Sequence, residues 1–164
     1  MRSNATGSRP ENSFMNTQPD FEDFLRLLES HRVDYMIVGG YAVAYHGFPR
    51  FTKDIDIFFS DSPQNIASLR RALIAFGFQA DSVPEELLAK PESVVAIGIE
   101  PVRIDLLNRI AGVAFDEART NTVRGTYGNV AVTFIGRDEL LMNKRATGRQ
   151  RDLGDVEELE NPGR

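Results

Sequence analysis

Two aspartates one residue apart, Asp54 and Asp56, open the run Asp54-Ile55-Asp56-Ile57-Phe58-Phe59. Acid alternating with aliphatic is the pattern of a strand that lies on a core, so the two carboxylates project together while Ile55 and Ile57 point inward. Neighbouring carboxylates repel, and each raises the cost of ionising the other. A divalent cation offsets that repulsion, and hard oxygen donors suit Mg²⁺ or Mn²⁺. Upstream, the apolar run Tyr35-Met36-Ile37-Val38 stops at Gly39-Gly40, which predicts a buried strand entering a turn. Without Cβ atoms, the glycines let the backbone take unusual angles and approach a ligand closely. The segment Tyr41–His46 that follows is compatible with a helix, and its first N–H groups would face the turn and cradle phosphate. Residues 41–53 separate the turn from Asp54. A glycine turn for phosphates beside a carboxylate pair for a cation suits nucleoside triphosphate chemistry.

A third acid, Asp105, lies in the apolar run Val102-Arg103-Ile104-Asp105-Leu106-Leu107. An unpaired ionised carboxylate is costly in such a strand. A metal-ligand or base role removes the difficulty; so does pairing with Arg103 or Arg109, or capping a loop at the strand end. Both readings stay open.

The order Gly39-Gly40, a spacer, then Arg50-x-Thr52-x-Asp54-x-Asp56 resembles the core of the polymerase-β-type nucleotidyltransferase superfamily. Within it, the chain most resembles the small bacterial enzymes grouped with the AbiEii toxin-type nucleotidyltransferases. The resemblance implies transfer of a nucleoside monophosphate from an NTP to an acceptor hydroxyl, with release of pyrophosphate. It implies that Asp54, Asp56 and Asp105 are catalytic and hold Mg²⁺ or Mn²⁺. Gly39, Gly40, Arg50, Thr52 and Lys144 would bind the nucleotide. Lys144, followed by Arg149 and Asp152, is similar to a late-helix pattern of the AbiEii-type enzymes. The acceptor could be RNA, protein or a small molecule, and an antitoxin or other protein partner is implied for a toxin–antitoxin or abortive-infection component. The chain ends soon after Asp152, without room for the extra helical domain that often holds the acceptor in the larger toxins. One rival is a non-catalytic nucleotide-binding module that regulates a protein partner. A blander one is a structural domain whose acids pair with arginines.

These residues need an α/β scaffold, expected as a nucleotidyltransferase-type mixed sheet of about four to six strands with helices packed mainly on one side. At 164 residues the chain suits one domain, expected over 19–160 after a disordered leader over 1–18 rich in Ser, Asn, Gly and Pro. Phe21, Phe24, Leu25 and Leu28 recur at helical spacing behind Pro19. Ser62-Pro63 starts a second amphipathic helix that Gly77 ends, with Arg70-Arg71 on a solvated face. Short helices are predicted near residues 84–88 and 113–119. Val94–Ile99 and Val102–Leu107 read as strands joined by a bend at Glu100-Pro101, and Gly128-Asn129 as the turn of a later hairpin. The basic residues of 137–151 and the acids of 152–160 read, apart from the Lys144 group, as paired helical surface. The sequence contains no cysteine, which excludes disulfides and thiolate metal sites, and two histidines leave little for a zinc site. No apolar stretch reaches membrane-spanning length, so a cytoplasmic location is expected. The net charge of −5 argues against a broadly nucleic-acid-binding surface but leaves room for a local basic patch.

Overall fold

The computed structural model describes residues 18–99 and 102–163. The expected leader therefore lies outside the described residues up to residue 17, and so does the bend at Glu100-Pro101. Gln18 belongs to the fold: its backbone N–H donates to the Tyr127 hydroxyl at 2.8 Å.

The chain opens with α1 (Pro19–Ser30), β1 (Tyr35–Val38), α2 (Gly39–Tyr45), β2 (Asp54–Phe59) and α3 (Pro63–Phe76). Next come α4 (Glu85–Ala89), β3 (Val94–Ile99), β4 (Val102–Leu107) and α5 (Phe115–Arg119). The hairpin β5 (Val123–Tyr127) and β6 (Val130–Phe134) leads into α6 (Arg137–Thr147) and α7 (Gln150–Glu160). Local chemistry accounts for the borders. Pro19 occupies the first turn of α1, and its predicted apolar stripe is buried. Ser62 caps α3 by accepting from the Asn65 N–H at 3.2 Å, and Gly77 follows its last turn. Arg70 departs from the solvated role expected for it. Its guanidinium donates to the Val83 and Ala80 carbonyls at 2.9 and 3.0 Å, which ties the loop before α4 to α3.

Six strands form one mixed sheet in the order β3-β4-β2-β1-β6-β5. β2 runs antiparallel to β1 and parallel to β4, and the outer pairs are antiparallel. Ile55, Ile57, Phe59, Ile104 and Leu106 share one buried face. Each large apolar side chain buried this way contributes roughly 1.5–3 kcal/mol relative to exposure, so the register of β2 is strongly held. A slip by one residue would drive Asp54 and Asp56 into that core.

Two aromatic clusters set the position of α2. Tyr41 meets Phe21 and Tyr127 edge-on at centroid distances of 6.1 and 5.5 Å. Tyr45 stacks on Phe134 at 4.1 Å, and the His46 ring nitrogen Nε2 lies 2.7 Å from the Ile135 carbonyl oxygen. The helix that carries the glycine pair is thereby fixed to α1, β5 and β6.

Candidate active site

The parallel register of β2 and β4 sets Asp56 opposite Asp105 and Asp54 opposite Arg103. Directly opposed residues share a face, so three carboxylates and one guanidinium stand together on the side of the sheet away from Ile55 and Ile57. Val38, the last residue of β1, is opposite Asp56 on the other neighbour. Burial pushes the Asp56 carboxyl up to about 7, helped by the negative charges of Asp105 and Asp54, while Lys144 pulls the other way.

Arg103 joins two of the acids. Its Nη2 lies 3.0 Å from Asp54 Oδ2 and donates to Asp105 Oδ2 at 3.1 Å, and its Nε is 3.0 Å from Asp105 Oδ1. Arg109 instead reaches Asp61 at 3.5 Å. Asp105 thus combines features of both readings left open above: it faces Asp56 and it pairs with Arg103. Among the described residues, no three carboxylate or imidazole side chains converge as a ready-made metal cage. The donor set nevertheless fits a hard divalent cation. Three carboxylates crowd one cavity wall, burial and then the two neighbouring carboxylates raise the Asp56 pKa to about 7, and a cation would offset that repulsion. Arg103 would have to swing away from the pair it bridges.

Gly39 and Gly40 make room for this cluster. Gly39 has φ +68°, and a Cβ there would collide with Asp56 Oδ2. A Cβ on Gly40 would sit 2.6 Å from Thr52 Oγ1. The expected reason for the pair was close approach of phosphate; the structure adds that the chain's own Asp56 and Thr52 occupy the vacated space. Thr52 Oγ1 donates to the Asp54 carbonyl at 3.3 Å, tying the segment before β2 to the strand it starts.

The basic residues are held from the other side. Arg50 makes a two-pronged contact with Asp155, Nε and Nη2 donating at 2.9 and 3.0 Å. Lys144 Nζ lies 2.9 Å from Asp152 and 3.1 Å from Asp155. Asp152 also accepts from Thr147 and from Arg149, each at 2.6 Å. Burial alone would raise the Asp152 pKa, but the bonds from Thr147, Lys144 and Arg149 outweigh it and hold the carboxyl at about 2. In this arrangement the charges of Arg50 and Lys144 are committed to α7, although both side chains line the cavity.

Asp155 and Arg103 are the residues that motif reasoning undervalued. Asp155 read as part of a solvated acidic block. The signal was there in the helix: Asp152, Asp155, Val156 and Leu159 fall at i, i+3, i+4 and i+7, and all four are buried. Arg103 appeared only as a partner for Asp105, whereas it also reaches Asp54.

A cavity of about 780 Å³ gathers every one of the candidates: Gly39, Gly40, Arg50, Thr52, Asp54, Asp56, Asp105 and Lys144, along with Arg149 and Asp152. Over residues 17–162, the chain matches the family described as a nucleotidyl transferase of unknown function (DUF2204). Its fold is similar to the crystal structure of a Thermotoga maritima protein described as a "putative nucleotidyltransferase". The TM-score is 0.52, with 13% identity over 88% of this chain and 91% of that one. At that identity the likeness is one of fold. No curated protein matches the chain significantly.

Proposed function

Since this chain belongs to a nucleotidyl transferase family whose function is not established, we propose that it moves a nucleoside monophosphate from an NTP to an acceptor hydroxyl. The observation that carries this reading is the alignment of Asp56 with Asp105 across β2 and β4, in the wall of the cavity that also holds the glycine pair. The acceptor oxygen bonds to the α-phosphorus, the bond from that phosphorus to the bridging oxygen breaks, and pyrophosphate leaves. Asp105 takes the hydroxyl proton. Gly39 and Gly40 let the triphosphate approach the backbone, with Arg50, Thr52 and Lys144 lending charge and hydrogen bonds around it. Asp54 and Asp56 would hold Mg²⁺ or Mn²⁺, which supplies charge neutralisation for the triphosphate, and a second such ion would need Asp105 as well.

The AbiEii-type affiliation, a toxin–antitoxin or abortive-infection role and an antitoxin or other protein partner rest on the motif resemblance alone and extend this reading. One observation favours a second reading. Arg103 bridges Asp54 and Asp105, as a nucleotide-binding module without turnover would tolerate. Turnover separates the two. Incubation with each α-labelled NTP, Mg²⁺ and a cell extract should release pyrophosphate and label an acceptor. Asp105→Asn should lower that rate by at least ~10²-fold with nucleotide affinity little changed, as loss of a general base does. Nucleotide binding without pyrophosphate release from any NTP would instead support the module.

A further inference from the structure

Phe51 is 73% exposed, more than any other large apolar side chain among the described residues. Single exposed apolar residues are ordinary on protein surfaces. Its setting distinguishes this one, because Phe51 lines the carboxylate cavity. The next most exposed, Val94 at 57%, lines the same cavity.

The residues on either side of Phe51 are tied down. Arg50 is clamped on Asp155, and its Nη1 donates to the Phe51 carbonyl at 3.4 Å. Thr52 is bonded to the Asp54 carbonyl and fills the space beside Gly40. Phe51 is therefore displayed by an anchored segment next to the glycine pair that opens α2. Exposed Lys53 follows it, and exposed Arg151 lines the same cavity. An aromatic face beside cations, at a site with room for phosphates, matches one ligand chemistry: a nucleobase carried on a phosphorylated chain. Stacking on a phenyl ring tolerates every base, because each has a π-face.

We propose that Phe51 is a nucleobase-stacking platform at the mouth of the cavity. This rests on the nucleotidyl-transfer reading of the site and deepens it. The base could come from the donor NTP or from a single-stranded nucleic-acid acceptor. The two sources present the same stacking face beside phosphate, and binding measurements distinguish them.

Titration calorimetry on the full chain compares Mg-ATP, Mg-tripolyphosphate and a single-stranded hexanucleotide, with wild type and with Phe51→Ala, Phe51→Trp and Asp105→Asn. Phe51→Ala should weaken either Mg-ATP or the hexanucleotide by about 5- to 150-fold, the range of one lost base stack. Phe51→Trp should retain or improve that affinity, while Mg-tripolyphosphate should bind wild type and both Phe51 variants alike. A loss confined to Mg-ATP assigns the platform to the donor; a loss confined to the hexanucleotide assigns it to the acceptor. If wild type binds Mg-ATP and Phe51→Ala leaves both ligands unchanged, the platform is overturned and the reading of the carboxylate site stands. The platform also falls if wild type binds Mg-tripolyphosphate as tightly as Mg-ATP and does not bind the hexanucleotide. Failure of all three ligands to bind wild type overturns the platform and the nucleotidyl-transfer reading together. Melting temperatures within a degree of each other show that the comparison is between folded proteins.

Discussion

Asp56 is the residue on which the site's electrostatics converge, and it makes stability depend on pH in an unusual direction. Its carboxyl is raised from 3.8 to about 7, chiefly by burial and then by Asp105 and Asp54. The folded protein therefore binds a proton that the unfolded chain releases throughout that interval. With more protons bound in the native state, unfolding becomes easier as pH rises. The penalty is absent below about pH 4, grows between pH 4 and 7, and is complete above 7. Asp152 works oppositely: its depressed carboxyl stabilises the fold above about pH 4 and loses that effect as pH falls towards about 2. In metal-free buffer, wild type should lose on the order of 1–3 kcal/mol between pH 4.5 and 7.5 relative to Asp56→Asn, which lacks the titrating group. Denaturant melts at a series of pH values read this directly. Parallel pH profiles for the two proteins would show that Asp56 ionises without cost.

At the scale of elements, α7 closes the site by burying acids against the cations of other segments. Asp155 receives Arg50 from the segment before β2 and Lys144 from α6, and it is nearly inaccessible. Removing one partner from such a cluster leaves buried charge uncompensated and typically costs about 3–5 kcal/mol. Replacing a buried pair by apolar groups of similar volume is often close to neutral. Asp155→Ala should therefore destabilise by about 3 kcal/mol in urea unfolding, and Arg50→Met with Asp155→Leu should recover more than half of that loss. Equal destabilisation by the single and double variants would mean that the contact itself, not the stranded charge, holds α7.

The same helix marks the limit of what was legible from the chain. The alternation of β2, the stop at the glycine pair, the proline that opens α1 and the Ser62 cap of α3 are local signals, and the structure follows them. The pairing of Asp56 with Asp105 depends on strand order, which joins β2 to a strand about fifty residues later in the chain and encodes nothing in either strand alone. Asp155 escaped notice because a charged helix is ordinarily solvated, and its cationic partners lie on different elements. Arg70 departs from its expected solvated role for the same reason: its carbonyl acceptors belong to a loop whose path no local pattern sets.

Taken as a whole, the molecule separates its charge. The chain carries a net −5, yet the cavity lining has six basic against four acidic side chains. An acidic protein repels a polyanion at a distance, so on the proposed reading a triphosphate would be drawn in by a field confined to the cavity mouth. Such attraction is screened over about 10 Å at 0.1 M ionic strength and about 3 Å at 1 M. Mg-tripolyphosphate affinity should therefore fall by roughly tenfold or more between those ionic strengths. Lys53→Glu, at the cavity, should weaken binding and flatten the salt dependence. Arg26→Glu, exposed on α1 and away from the cavity lining, should leave both unchanged. If the base on Phe51 is the donor's, Mg-ATP gains an affinity over Mg-tripolyphosphate that has a different origin. Stacking of a base on Phe51 is short-ranged and weakly screened, so that ratio should hold nearly constant while both affinities decline. Calorimetric titrations at four ionic strengths give both slopes from one series. If the two ligands diverge steeply with salt, the base is held by charge rather than by the ring. If Arg26→Glu shifts binding as much as Lys53→Glu, the attraction belongs to the whole surface and not to the cavity.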